Sequence, residues 1–282
     1  ATYTGGVLTR VTLPDGRSES FFYAPSGKLS EIREVGTDGT TFRSWLYTWS
    51  GDDLERIDRP DGTALEFSYG DSRLPGYLTR RDLVGTDTSR PVEAAWSYDA
   101  AGNVAQTWKG DVSATGPNAV ERYVFSYDNP LLPTRSTVTD PPGKPTVYDL
   151  DRDRGAGPKP KITRIEGDCP VCGTGPNEQI TYGDAGHPLR ATRRVDGKGH
   201  VTLFSWGSRG QMTSKTEALG TPEERTTTWA YHPTFPAFPT QLELPSTAGG
   251  AAARRTTWSY SAAGDRISET RTGAEAGSAF SL

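Results

Sequence analysis

Methionine, histidine and cysteine are nearly absent: the 282 residues contain one, three and two of them. Two cysteines cannot build a disulfide framework, and a single Cys-x-x-Cys has no second pair to complete a four-thiolate zinc site. His187, His200 and His232 stand 15, 28 and 60 residues beyond Cys172, with no pair at the close spacing of a zinc motif. No apolar run approaches the ~18 residues that span a bilayer, and no signal peptide opens the chain, so no membrane insertion is expected. No window places apolar residues at i, i+3, i+4 and i+7 between caps, which argues against amphipathic helices. There is no Gly-x-Ser-x-Gly elbow and no glycine-rich phosphate loop leading into a helix. Basic residues are not in excess. A net charge of −4 and a pI near 5.5 argue against a nucleic-acid or anionic-membrane surface, so no nucleic-acid partner is expected. The chain opens on Ala1 rather than Met and carries no atypical capping unit at either end. The expectation is a piece of a longer array.

What is present is turn and strand material. Gly (32) and Pro (21) together make about a fifth of the chain, spread evenly rather than clumped as in a linker. Aromatics reach 10%, with seven Trp and twelve Tyr, and Thr is abundant. This is β composition, and the recurrence of the aromatics at fixed places argues against disorder.

The recurrence is a repeat. Aromatic anchors followed by a turn stand at Tyr23, Tyr47, Tyr69, Tyr98, Tyr127, Tyr148, Tyr182, Trp206, Tyr231 and Tyr260. The nine intervals cover 237 residues, a mean of about 26, within the range of repeat architectures. Two positions before most anchors stands a second large apolar residue, as in Phe21/Tyr23, Trp45/Tyr47, Phe67/Tyr69, Trp96/Tyr98, Trp229/Tyr231 and Trp258/Tyr260. Spacing of two on Thr/Ser-rich segments puts both rings on one face of a β-strand. After the anchor comes a turn such as Asp99-Ala100-Ala101-Gly102, where Asp can accept from the turn backbone and Gly closes the hairpin in the left-handed region. Gly27, Gly51, Gly186, Gly210 and Gly264 are expected in the same place. An aliphatic residue then opens the return strand (Leu29, Leu54, Val104, Leu189, Met212), and another often follows three later, as in Leu29/Ile32 and Leu54/Ile57. Three is wrong for a flat strand, so a bulge or the strand's end is expected there. Turns such as Pro14-Asp15-Gly16 and Pro60-Asp61-Gly62 then reverse the chain again. Chained units of strand, tight turn, strand, tight turn give a long antiparallel meander: an all-β fold, one array of about ten units over 1–282.

The phrase Tyr-Asp-x-x-Gly-x-Leu/Val at this spacing resembles the YD repeat of Rhs proteins, shared by Tc-toxin cocoon subunits and teneurins. Trp96-Ser97-Tyr98-Asp99-Ala100-Ala101-Gly102-Asn103-Val104 and Trp258-Ser259-Tyr260-Ser261-Ala262-Ala263-Gly264 carry the likeness best, which covers about residues 3–270. The Asp partner is missing from most copies, and the Tyr127, Tyr148 and Tyr231 units are irregular. The resemblance implies an antiparallel sheet strip winding in a spiral toward a hollow shell that holds a C-terminal toxin or effector domain. A thin wall has large faces and little interior, which fits a hydrophobic content of 33% concentrated in aromatics. It also implies secretion or a cell-surface location through a bacterial export system, as in polymorphic toxins. The remaining repeats and the toxin domain of the same polypeptide would be the partners.

Local motifs are few. Cys169-Pro170-Val171-Cys172 lacks the further ligands of a zinc site and the βαβ setting of a redox pair. A local disulfide pinning an irregular insertion loop over 149–178 is the expectation, and the resemblance points the same way. Asp149, Asp151 and Asp153 have the spacing of a calcium loop, but Gly155 comes one position late and Pro160 stands where a bidentate Glu should close it. A solvated loop is expected instead. Asp52-Asp53 and Glu223-Glu224 are adjacent, so on a strand they point to opposite faces and make no acid/base dyad. Asp140-Pro141-Pro142-Gly143 resembles the self-cleaving neighbourhood of Rhs shells but lacks its Leu, and reads as a turn. No cofactor and no enzymatic activity are expected of this segment. The rival reading is an extracellular adhesin or glycan-binding surface, in which rows of Trp and Tyr stack on sugars; it requires Trp96, Trp229 and Trp258 to stand exposed in a row.

Overall fold

A computed structural model describes all residues except 88, 153–159, 171, 173–174, 246–252, 276–277 and 282; for 274–275 and 278–281 it describes the backbone alone. Among the described residues every regular element is a β-strand, and the strand pairs are antiparallel. Contacts divide the chain into two compact units, and the repeat runs through both.

The first unit comprises Ala1–Ser126 and Val138–Gly143. It holds β1 (Thr2–Thr4), β2 (Val7–Thr12), β3 (Ser18–Tyr23), β4 (Leu29–Val35), β5 (Thr41–Ser50), β6 (Asp53–Asp58), β7 (Ala64–Ser68), β8 (Arg80–Val84), β9 (Val92–Tyr98), β10 (Val104–Lys109) and most of β11 (Val120–Tyr127). Each strand pairs with the next in sequence, a pure meander. The second unit comprises Tyr127–Thr137 and Lys144–Leu282. After β12 (Arg135–Thr139) it contains β13 (Pro145–Asp151), β14 (Lys161–Gly167), β15 (Glu178–Thr181), β16 (Arg193–Asp196), β17 (Val201–Trp206), β18 (Met212–Glu217), β19 (Arg225–Tyr231), β20 (Pro239–Leu244), β21 (Arg254–Tyr260), β22 (Arg266–Glu275) and β23 (Ser278–Ser281). From β13 onward each again pairs with its successor.

The register explains the spacing of three. Tyr23 lies opposite Leu29 and Phe22 opposite Glu31, so Ser30 is an extra residue on the return strand. The skip then brings Ile32 opposite Phe21, on the same face as Tyr23 and Leu29. The same bulge falls at Glu55, Ala105, Thr213, Thr240 and Ile267. Each follows directly on the residue opposite the strand's last aromatic.

The insertion loop expected over 149–178 is corrected. β13 continues to Asp151, and β14 occupies 161–167 between β13 and β15. Ile162 and Ile165 repeat the three-residue spacing around a bulge at Thr163, but the anchor slot opposite Ile162 holds Leu150 rather than an aromatic. The nearest ring is Tyr148, two residues earlier, which is where the sequence places the anchor. Gly186 and Leu189 are also displaced from their expected roles: Gly186 is not among the positive-φ glycines, and Leu189 lies in a loop before the return strand, 47% exposed.

Little is deeply buried. Among the described residues the buried hydrophobics are Ala64, Val92, Ala95 and Trp108, and the last three form one small cluster with Ala114 and Ala119 against it. Elsewhere strands are half-buried, as a sheet with two accessible faces must be. Turn glycines meet a second constraint besides positive φ. Gly102 (φ 85°) closes the Asp99–Asn103 turn, and a Cβ there would lie 3.1 Å from the Tyr77 hydroxyl. Gly27 (φ 81°) has nothing within 4 Å. Gly27→Ala is therefore expected to cost about 1 kcal/mol, for the left-handed backbone alone. Gly102→Ala should cost measurably more, because Tyr77 must also move. Urea-denaturation midpoints of the two variants check the difference.

Candidate functional site

The anchor aromatics form the organised feature of the molecule. Eight of them carry a polar tip that donates to a backbone carbonyl of the preceding unit. Tyr23 Oη donates to Leu8 O (2.8 Å), Trp49 Nε1 to Leu29 O (2.8 Å), Tyr69 Oη to Leu54 O (3.0 Å) and Tyr98 Oη to Leu78 O (2.6 Å). In the second unit Tyr182 Oη donates to Ile162 O (2.9 Å), Trp206 Nε1 to Ala191 O (2.8 Å), Tyr231 Oη to Met212 O (2.9 Å) and Tyr260 Oη to Pro239 O (2.8 Å). Six of the eight acceptors, Leu8, Leu29, Leu54, Ile162, Met212 and Pro239, are the residue immediately before a bulge. A bulge interrupts the ladder, and the aromatic tip brings a donor to the carbonyl beside the interruption. Burial raises the pKa of the Tyr69, Tyr98, Tyr182 and Tyr231 phenols, keeping them protonated as donors.

Two anchors therefore shift. The structure gives the slot assigned to Tyr47 to Trp49, which lies opposite Leu54 and bonds Leu29 O. It gives the slot assigned to Tyr148 to Leu150, opposite Ile162. Residues two apart share a face, so periodicity cannot separate Tyr47 from Trp49; the position of the bulge does. Tyr127 ends β11 at its expected place.

Two longer connections share a pattern that the repeat reading missed. Tyr69-Gly70-Asp71…Pro75…Thr79 and Tyr182-Gly183-Asp184…Pro188…Thr192 have identical spacing. In both, the Thr hydroxyl accepts from the Gly N–H and donates to the strand carbonyl, Ser68 O or Thr181 O. The residue before that Thr, Leu78 or Ala191, accepts from the next anchor. Comparing the two stretches with each other would have found it.

Turn acids behave as backbone acceptors. Asp99 Oδ1 takes the N–H groups of Ala101 and Asn103, and its Oδ2 takes the Asn103 amide. These bonds, the Asn103 side chain foremost, hold its carboxyl below the usual range. Asp128 goes further. It accepts from the Thr134 hydroxyl and from the backbone of Asn129, Thr134 and Arg135, which lowers its pKa to about 2.

Charged residues pair with one another. Arg56, Glu66 and Asp82 lie directly opposite across β6, β7 and β8. Arg56 bonds Asp58 (2.7 Å) and Glu66 (2.5 Å), and Arg80 bonds Asp82 (2.9 Å). In the second unit a shallow cavity is lined by Glu178, Arg194, Asp196, Phe204, Lys215 and Glu217, among others. Its charges are taken up internally: Arg194 on Glu178, Lys215 on Glu217 (2.7 Å) and His200 on Asp196 (3.0 Å).

The metal candidates do not converge. Cys169 and Cys172 are joined in a disulfide with Cα atoms 5.3 Å apart, which closes the sulfurs to a metal. The bridge packs on the neighbouring β16–β17 turn, where a Cβ on Gly197 would sit 2.4 Å from Cys172 Sγ. Asp149 and Asp151 lie in β13 rather than a loop, and each has basic partners: Arg135 (2.7 Å) and Arg164 (3.6 Å) for the first, Lys161 (2.9 Å) for the second. Asp153 lies outside the described residues. Among the described residues no three His, Cys, Asp or Glu side chains gather as a metal set. Trp96, Trp229 and Trp258 are half-buried rather than exposed, and Trp258 Nε1 donates to Glu269 (3.0 Å), its cross-strand neighbour.

No family model and no curated protein matches the sequence. Solved structures do. The TcdB2-TccC3-Cdc42 crystal structure matches over 97% of this chain at TM-score 0.50 and 14% identity. The TcdB2-TccC3-TEV structure matches over 97% at TM-score 0.49 and 16% identity. The fold is Rhs-like. At this identity the likeness extends to the fold alone, and the match spans 16% and 14% of those longer chains. Among the described residues no helix is long and apolar enough to cross a membrane.

Two outcomes are expected. Tyr69→Phe removes a bond to a pre-bulge carbonyl and should cost about 1 kcal/mol, whereas Tyr47→Phe should cost less than about 0.5 kcal/mol; chemical denaturation of the two compares them directly. Asp128 has a folded-state pKa depressed from 3.8 to about 2, so its contribution is present above pH 3.8 and disappears as pH falls through about 2. Protection of the Thr134 and Arg135 amides, taken against the intrinsic exchange rate at each pH, should fall over that interval in the native protein. In Asp128→Asn that protection should already be lower at neutral pH and should not change across the interval.

Proposed function

We propose that this chain is a non-enzymatic wall segment of an Rhs-type β-shell. The shell encloses or displays a toxin or effector domain carried elsewhere in the same polypeptide. The observation that carries the reading is the anchor-to-carbonyl series, in which the conspicuous aromatic of eight repeats is used to fasten each of them to the one before. Side chains that could have served chemistry are engaged in structure as well: carboxylates by arginines and turn amides, cysteines by each other. The likeness to the TcdB2-TccC3-Cdc42 structure supports the same reading, since the chain matches a minor part of a much longer one, as a stretch of wall would. A disulfide supports export to an oxidising compartment, at the cell surface or beyond.

Negative-stain electron microscopy of the intact gene product tests the proposal. Hollow capsules with internal density are the expected result. Filaments or open ribbons would overturn encapsulation, and tight glycan binding by the segment would shift the assignment to an adhesive surface.

A further inference from the structure

At three anchors the next residue supplies the acceptor for the turn that follows. Asp99 Oδ1 takes the N–H groups of Ala101 and Asn103, Asp128 Oδ1 those of Asn129, Thr134 and Arg135, and Ser261 Oγ those of Ala263 and Asp265. After Tyr231 the same place holds His232, half-buried, and the acceptor is a ring nitrogen. His232 Nδ1 takes the N–H groups of Thr234 (3.2 Å) and Phe235 (3.1 Å). A ring nitrogen that accepts carries no proton, so this imidazole is neutral with its hydrogen on Nε2. The other two histidines are placed in the opposite sense. His187 Nδ1 meets Asp184 and His200 Nδ1 meets Asp196, each at 3.0 Å, where a proton on the ring strengthens the bond.

The turn that His232 closes bears on the next anchor. The His232 N–H donates to Phe238 O, and the Phe238 N–H to Phe235 O, both at 2.9 Å. The imidazole stacks on Phe235 (centroids 5.1 Å apart) and meets Tyr260 edge-on (6.0 Å), while Phe238 packs on Tyr260 at 5.2 Å. A Cβ on Gly264, in the turn after Tyr260, would lie 3.2 Å from Phe238 and 3.6 Å from Phe235. Pro239, the next residue along, carries the carbonyl to which Tyr260 donates (2.8 Å). The fastening of one repeat on the one before therefore passes through a turn held by a neutral histidine.

We propose that His232 is an acid-labile joint of the array: a proton taken from solvent at Nδ1 opens the 232–238 turn and loosens Tyr260 from Pro239 O. The proton occupies the lone pair that held Thr234 and Phe235, and an N–H then faces two N–H groups. Stacking on Phe235 tolerates a charged ring, but it does not replace the two lost bonds. Residues 232–239 contain no other acid or base. On the elements packed against the turn, β21 presents the Tyr260 phenol, and the neighbour of Tyr231 on β18 is the uncharged Met212. The charges at the turn after Tyr260 are engaged: Asp265 accepts from Ser261, and Arg266, opposite Tyr260, pairs with Glu269 (2.8 Å). The closed turn needs the neutral ring, so it is held above the range where histidines protonate, around pH 6.5, and is lost as pH falls through it. The aspartate turns keep their bonds there, since the Asp99 carboxyl is held below the usual range and that of Asp128 at about 2. Such a joint works in any array of this fold, whether or not a shell closes.

Native-state hydrogen exchange of the full chain, read as protection against the intrinsic rate at each pH, is the test. Between about pH 7.5 and about pH 5.5, protection of the Phe235 and Phe238 amides should fall at least about fivefold, while that of Ala101 and Asn103 at the Asp99 turn holds. His232→Asn keeps a neutral turn acceptor, so its protection should stay close to the neutral wild-type value and be flat over the interval. His232→Ala should be low and flat. Nitrogen shifts of the His232 ring at neutral pH should show Nδ1 without a proton. Flat wild-type protection, a protonated Nδ1 at neutral pH, or a fall that persists in His232→Asn would overturn the joint. The wild-type profile and the ring shifts decide the matter even where a variant fails to fold.

Discussion

The hydrogen bond from an aromatic tip to the carbonyl beside a bulge is the constraint on which the repeat depends. A hairpin alone is marginal, and a meander of identical hairpins is prone to slip, because moving the register by one residue exchanges the two faces. The bulge fixes the register within a hairpin, since only one residue can be skipped. The aromatic fixes the register between hairpins, since its tip reaches one carbonyl. Tyr and Trp are suited to the position because each combines a large apolar body, which covers the sheet, with a donor at the far end. Leu150 keeps the apolar half of that role and lacks the donor.

A structure fastened in this way needs little interior. Stability comes from cross-strand pairs and ladders distributed along the chain, not from one central core. That accounts for so few buried hydrophobic residues among the described residues. The rows of Arg, Glu and Asp contribute modestly to stability, since exposed ion pairs are worth well under ~1 kcal/mol each. They do satisfy opposite charges across strands, and where Glu66 faces Asp82 the flanking arginines offset a repulsion that the register imposes.

This distribution has a consequence for loop length. Each repeat depends on its immediate predecessor, so loops can vary in length while the fastening is preserved. The 11-residue connections from Tyr69 to Thr79 and from Tyr182 to Thr192 vary the turn but deliver the same acceptor to the next anchor. The disulfide beside Gly197 is a local version of the same economy, closing one irregular connection against the adjacent turn.

The sequence by itself determined the strand class, the meander and most of the repeat. Alternating aromatics at Trp96/Tyr98 and Trp258/Tyr260, turn residues such as Asp99 and Gly102, and the three-residue spacing of Leu29/Ile32 are local signals, and each acts through its immediate neighbours. What sequence could not decide was which of two same-face residues makes the carbonyl bond. Tyr47 and Trp49 are equivalent by period, and only the pairing of Trp49 with Leu54 and the skip at Glu55 separate them. Nor could it find β14, whose anchor slot holds Leu150, or deny Leu189 the start of a return strand. Those assignments depend on contacts between residues 15 to 21 apart, made only once neighbouring strands are in register. For that reason they belong to the tertiary structure.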